Sequence, residues 1–183
     1  MLFNDFIITG GNDDDISTGL GQDFIISRGG DDTIISGAGS DMVLAGSGND
    51  NIFGENDQDF LFGGTGNDEV NGGEGNDWLF GGEGDDILIG GLGADKISGG
   101  EGVDTFKYIS TLESNGSFFD IIFGFEQGTD IIDLSELDFD GISSFADITV
   151  DNQGGTTTIA GNSVDFFVQL NGGYDLTSAD FVF

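Results

Sequence analysis

Apolar side chains recur along the first 107 residues at a fixed interval of nine. They stand at Ile7, Ile16, Ile25, Ile34, Val43, Ile52, Leu61, Val70, Leu79, Leu88, Ile97 and Phe106. Two residues before each lies an aspartate, from Asp5 through Asp104, with none missed. Twelve copies in register, in a chain with 27 Asp, are far beyond chance, so the period is a structural repeat. The polar part of each copy is glycine-rich. Gly stands two residues before the Asp from Gly21 to Gly102, with Asp57 the exception, and Gly pairs open the most regular copies. Such a stretch turns, because glycine accepts positive φ without strain. The residues after each Asp, as in Ile87-Leu88-Ile89, predict a very short strand whose middle side chain points opposite to its neighbours. Turn and strand taken twice return the chain to its start after 18 residues, one strand higher. The pattern therefore predicts an all-β solenoid over residues 1–107, with the central apolar residues buried between two parallel sheets. The total absence of Pro agrees, since proline would remove a ladder donor at almost every position.

The residues flanking each buried position face outward. On one sheet they form an apolar stripe: Phe6/Ile8, Phe24/Ile26, Met42/Leu44, Phe60/Phe62 and Trp78/Phe80, ending at Lys96/Ser98. The other sheet is mixed, as in Glu69/Asn71. A continuous apolar stripe marks something that covers it. The expected cover is the C-terminal segment, with self-association or a partner as the alternative.

Charge changes the picture most. The chain holds 35 acids against Arg28, Lys96 and Lys107, for a formal net charge of −32. So acidic a chain resists compaction unless something cationic cancels the charge. The solenoid stacks its aspartates on two edges, Asp5, Asp23, Asp41, Asp59, Asp77 and Asp95 on one, and Asp14, Asp32, Asp50, Asp68, Asp86 and Asp104 on the other. Neighbours in a stack lie about one strand spacing apart, too close for bare carboxylates to ionise together comfortably. A hard divalent cation between turns resolves this. Calcium, which takes six to eight oxygens including backbone carbonyls, suits the site better than magnesium.

The repeat resembles the RTX, or haemolysin-type, nonapeptide G-G-x-G-x-D-x-U-x, with U a large apolar residue. Residues 77–85 (DWLFGGEGD) and 86–94 (DILIGGLGA) match it nearly letter for letter. The resemblance implies a right-handed parallel β-roll, a two-sheet solenoid of 18-residue coils that binds calcium between adjacent turns. It implies ligation by the turn aspartates Asp14, Asp23, Asp32, Asp41, Asp50, Asp59, Asp68, Asp77, Asp86, Asp95 and Asp104. Carbonyls of the turns would complete the sites, from Gly63, Gly64, Gly66, Gly72, Gly73, Gly75, Gly81, Gly82, Gly84, Gly90, Gly91, Gly93, Gly99, Gly100 and Gly102. Six turns per edge leave room for up to about ten ions. Irregular copies at residues 9–14, 27–32 and 54–59 (Asn12, Arg28, Glu55, Asp57) lower that expectation.

After Asp104 the repeat stops. Residues 108–183 carry 13 acids and no base. Strands are predicted at Asp120–Phe123, Asp130–Leu134, Ile148–Asp151, Thr156–Ala160 and Phe166–Leu170, with a hairpin turn at Gln153-Gly154-Gly155. Short helical turns are expected near Ser143–Asp147 and Ser178–Phe181. A β-rich cap is needed here, because the last coil otherwise ends in an open sheet edge. The stretches DTFKYISTLES (104–114), DIIFGFEQGTDIIDLSELD (120–138) and DLTSADFVF (175–183) resemble the C-terminal region of serralysin-type secreted metalloproteases. That resemblance implies that Asp180-Phe181-Val182-Phe183 is an uncleaved type I secretion signal read by the export machinery. The alternative is a last strand closing the cap.

Several functions drop out. Three bases cannot hold nucleic acid. Without His or Cys there is no zinc-protease motif, Ser-His-Asp triad or thiol nucleophile, and no disulfide. No run is apolar enough for a membrane-spanning helix. The N-terminus lacks the features of a secretory signal peptide. Acids are too plentiful for any one pair to mark glycoside chemistry. The expectation is a secreted, extracellular, calcium-binding structural and secretion module without catalysis. The alternatives are an adhesive or matrix protein using the apolar stripe and an accessory remnant of an RTX exoenzyme.

Overall fold

A computed structural model describes residues 4–115 and 118–183, and the side chains of 138–140 lie outside that description. Residues 1–3 of the repeat region and 116–117 of the C-terminal region therefore fall outside it. The chain folds as a parallel β-solenoid. Strands β1 (Phe6–Ile8), β3 (Phe24–Gly29), β5 (Met42–Ser47), β7 (Phe60–Thr65), β9 (Trp78–Glu83) and β11 (Lys96–Glu101) stack in order in one sheet. Strands β2 (Asp15–Leu20), β4 (Thr33–Ala38), β6 (Asn51–Asn56), β8 (Glu69–Gly75), β10 (Ile87–Gly93) and β12 (Thr105–Lys107) stack in the other. Every pairing is parallel and in register at 18 residues, as in Leu61↔Leu79 and Leu88↔Val70. The apolar residues predicted to point inward do so. Ile25, Ile34, Val43, Ile52, Leu61, Val70, Leu79 and Leu88 have no exposed surface and form one continuous core.

The strands are longer than the three residues expected. Most run six or seven, through the opening of each glycine turn, because turn backbones also bond coil to coil. Gly64 registers on Gly82, for example, and Gly66 N–H donates to Glu83 O at 2.8 Å. The turns are thus part of the ladder, not excursions from it.

Both sheets run on past residue 107. β13 (Asp120–Phe123) adds to β11, and β14 (Ile131–Asp133) adds to β12, placing Ile122 and Ile132 in the core column. An antiparallel hairpin follows, β15 (Ile148–Gln153) with β16 (Thr156–Gly161), and β16 pairs with β17 (Phe167–Asn171), which lies parallel on β13. β18 (Phe181–Val182) completes the second sheet on β14. Short 3₁₀ turns form at Phe145–Asp147 and Ser178–Asp180 as predicted, and an unpredicted one spans Ser135–Asp140. The end of the chain is thus a built strand. Thr177 and Asp180 form a reciprocal cap before it, and Phe181 is buried.

The apolar stripe exists, but the C-terminal strands extend its sheet edgewise and do not lie over it. The expected cover is therefore wrong: a strand satisfies its ladder donors only by pairing at the open end. The stripe shields itself instead. Phe62 and Phe80 stack at 4.7 Å, Phe60 and Trp78 at 5.9 Å, and Lys96 Nζ sits 4.0 Å from the Trp78 ring centre. Phe6, at the start of the stripe, is 69% exposed.

Candidate metal centre

From Asp23 onward each turn aspartate is fixed by the backbone of the coil before it. On one edge the N–H groups of Asp5, Asp23, Asp41, Asp59 and Asp77 donate to Oδ1 of Asp23, Asp41, Asp59, Asp77 and Asp95 at 2.7–2.8 Å. On the other edge Asp14, Asp32, Asp50, Asp68 and Asp86 donate likewise to Asp32, Asp50, Asp68, Asp86 and Asp104, at 2.8–3.1 Å. The nine-residue register is what makes this ladder, since it returns a carboxylate to the same point of every second turn.

The second oxygen has no such partner. Oδ2 of Asp14, Asp23, Asp32, Asp41, Asp50, Asp59, Asp68, Asp77, Asp86, Asp95 and Asp104 is buried without a hydrogen bond. Asp5 is exposed and outside this set. A buried acceptor without a donor is costly for a neutral group and more so for an ion. The aspartates respond accordingly: burial pushes Asp59 up to about 8, Asp86 to about 7, and Asp41, Asp50, Asp77 and Asp104 to about 6. Neighbouring aspartates of the same stack add to the rise at Asp41, Asp50, Asp59 and Asp86. None of the three bases donates to these oxygens.

The ladder does not end with the repeat. Asp95 N–H donates to Asp120 Oδ1 at 2.9 Å, and Asp104 N–H to Asp130 Oδ1 at 3.2 Å. Asp120 is fully buried with its own Oδ2 unpartnered, and burial raises its pKa well above the usual range. Asp130 differs, because its Oδ2 accepts from Glu126 N–H at 2.7 Å. Both were missed as site residues because the spacing changes to 25 and 26 there. The signal that could have found them is the same Asp-x-apolar triplet, Asp120-Ile121-Ile122 and Asp130-Ile131-Ile132.

The glycines set the carbonyl side of the edges. In most second and fourth turn positions they adopt positive φ, +126° at Gly64 and +119° at Gly66. A Cβ at either would strike the carbonyl oxygen of the coil before, Gly46 O at 2.1 Å or Gly48 O at 1.9 Å. Backbone oxygens thus crowd the same edge as the orphaned carboxylate oxygens. Among the described residues no three acidic side chains gather as a metal cluster, so a cation here must draw on these carbonyls as well as on aspartate. All-oxygen, mixed carboxylate and carbonyl surroundings fit a hard cation of flexible coordination, which is calcium.

A solenoid lined on both edges by such oxygens is a calcium-binding β-roll. The chain belongs to the RTX calcium-binding nonapeptide-repeat family, whose repeat matches residues 2–25, 8–43, 35–70 and 71–106 in four copies. Among solved structures it is similar to the AlgE6R3 subunit of the mannuronan C5-epimerase of Azotobacter vinelandii. Identity is 33% over 67% of this chain and 78% of that one, with a TM-score of 0.53. The AlgE6R2 subunit of the same enzyme is 28% identical over 80% of this chain and 91% of that one, with a TM-score of 0.54. No curated protein sequence matches the chain.

Proposed function

We propose that the protein is an extracellular structural module that folds around calcium after type I export. The observation that supports it best is the row of buried Oδ2 atoms with no donor. In this reading aspartates of that row, with Asp120, and the carbonyls of turn glycines such as Gly63, Gly64 and Gly66 hold the ions. Without metal the turns repel one another and the chain stays open; with metal each filled gap locks two coils. Residues 108–183 act as cap and address, and the module itself catalyses nothing. Equilibrium dialysis with metal analysis tests the first part, with several calcium ions per chain expected and none contradicting it.

The export part rests on the resemblance of residues 180–183 to a type I signal. Deleting Asp180–Phe183 should abolish export from a type I secreting host, and unchanged export would refute it. The same deletion removes β18, so the purified variant should also fold less stably. In the cytoplasm, where the calcium-free chain is open either way, that defect does not confound the export assay.

A second reading has its own support. Both similar solved structures are subunits of a larger enzyme, which favours an accessory module of an exoenzyme. The half-buried aromatic stripe would then be a surface for a partner or a second copy. Calcium-loaded chains that sediment as a monomer at every concentration would remove self-association.

A further inference from the structure

The residue that opens each turn changes character along the roll. In the first two turns of each edge it carries a hydroxyl: Thr9 then Ser27 on one, Thr18 then Ser36 on the other. Each hydroxyl donates to the carbonyl of the residue opening the next turn of its edge. Thr9 Oγ1 reaches Ser27 O at 3.1 Å and Ser27 Oγ reaches Ala45 O at 2.9 Å. Thr18 Oγ1 reaches Ser36 O at 2.6 Å and Ser36 Oγ reaches Gly54 O at 3.2 Å. Both serines are fully buried.

From residue 54 onward glycine opens every turn through Gly99, and no side chain is there to donate. There two oxygens face the bare glycine. A Cβ placed on Gly72 would lie 2.5 Å from Asp77 Oδ2 and 2.5 Å from Gly90 O; on Gly63, 2.3 Å from Asp68 Oδ2 and 2.8 Å from Gly81 O. Two oxygens, each an acceptor, converge on the spot that a serine side chain occupies in the early turns. Acceptors facing each other need a proton or a cation between them. The early turns have the proton.

We infer that the hydroxyls of Thr9, Thr18, Ser27 and Ser36 replace calcium in the first coils, bonding coil to coil directly and closing those turns to the ion. Calcium then loads only the glycine-opened turns. This rests on the reading that the turns bind calcium at all. The Oδ2 atoms of Asp14, Asp23, Asp32 and Asp41 are unpartnered too, but in those turns a hydroxyl already occupies the facing carbonyl of the next coil. An ion that needs six or more oxygens cannot spare it. The turn-opening glycines from Gly54 to Gly99 are absent from the positive-φ set, so φ admits serine there, although a Cβ at Gly72 requires Asp77 Oδ2 and Gly90 O, both at 2.5 Å, to give way.

The test uses the full chain and calcium itself. Thr18→Gly with Ser36→Gly turns residues 18–23 and 36–41 into complete G-G-x-G-x-D turns in adjacent coils. Bound calcium per chain, measured by metal analysis after dialysis, should rise by at least one. Gly72→Ser with Gly90→Ser should lower it by at least one. Counts equal to wild type in both variants, each folded by circular dichroism, overturn the inference and leave calcium binding intact. A wild-type chain that binds no calcium overturns the underlying reading and this inference with it. Should a variant fail to fold, the unmodified protein decides. A trace of paramagnetic gadolinium should broaden amide resonances around Gly63–Asp104 and spare those around Thr9–Ser36, and equal broadening overturns the inference.

Discussion

Arg28, Glu55 and Asp57 are the non-glycine residues with positive φ among those described, at 78°, 77° and 73°. They occupy the second or fourth position of irregular turns, where regular copies have glycine. The irregular copies therefore keep the turn geometry and bear its strain, roughly 1–2 kcal/mol per residue, offset by about 0.5–1 kcal/mol of glycine's chain entropy. Glu55→Gly and Asp57→Gly should each raise the stability of the calcium-loaded protein by up to about 1 kcal/mol, read as a higher thermal midpoint. Asp57→Gly has the larger expected gain, because Asp57 also adds repulsion at Asp59 and Asp41. Equal or lower midpoints would argue against strain at these turns. The carboxylates give a second residue-scale outcome. Their folded values stand above the ordinary 3.8, at about 6 for Asp41 and Asp77, about 7 for Asp86 and about 8 for Asp59. The metal-free fold binds more protons than the open chain, so its stability is greatest near pH 4 and falls as pH rises to about 8. In chelator, β-sheet signal should therefore fade between those limits. Calcium affinity should rise over the same range, since metal displaces the protons. A chelated chain that gains structure from pH 4 to pH 8 would contradict this.

At the scale of the element, the regular period made most of the fold legible. One interval of nine specified the strands, their parallel register, the core column and the aspartate ladders. Two things escaped it. The first is the length of the strands, because glycine turns that read as loops in sequence also pair coil to coil. The second is the continuation of both ladders through Asp120 and Asp130. There the spacing from Asp104 to Asp120 is 16, seven more than the repeat, so the period disappears although the triplet that makes the coil persists. The turn-opening hydroxyls were visible as letters, yet only the bonds they make give them meaning. The ladder also ranks the aspartates. Asp77→Ala removes the acceptor of Asp59 N–H, leaving that buried donor unpaired at about 1–3 kcal/mol, and Asp120→Ala does the same to Asp95 N–H. No N–H is found donating to Asp14 among the described residues, so Asp14→Ala should cost least. Denaturant midpoints in saturating calcium should order accordingly, with stability losses summing coil by coil. A loss at Asp14 equal to that at Asp77 would contradict the ordering.

For the whole molecule the governing number is −32. One ion pair, Lys107 with Glu136 at 3.8 Å, is found among the described residues, and both edges bury carboxylate. The core column of Ile, Leu and Val supplies the drive to collapse, and the edges oppose it until a cation arrives. In the proposed reading fold and metal are one equilibrium, which would let a chain remain open where free calcium is scarce and close where it is abundant. The most direct measurement is far-ultraviolet circular dichroism of the chelated full chain at pH 7.5 and low salt, with calcium titrated in. The β-sheet signal should grow cooperatively with a midpoint on the order of 10⁻⁴–10⁻³ M free calcium and be reversed by excess EGTA. A chain that shows its full β-sheet signal in excess EGTA, unchanged by calcium, would contradict the account.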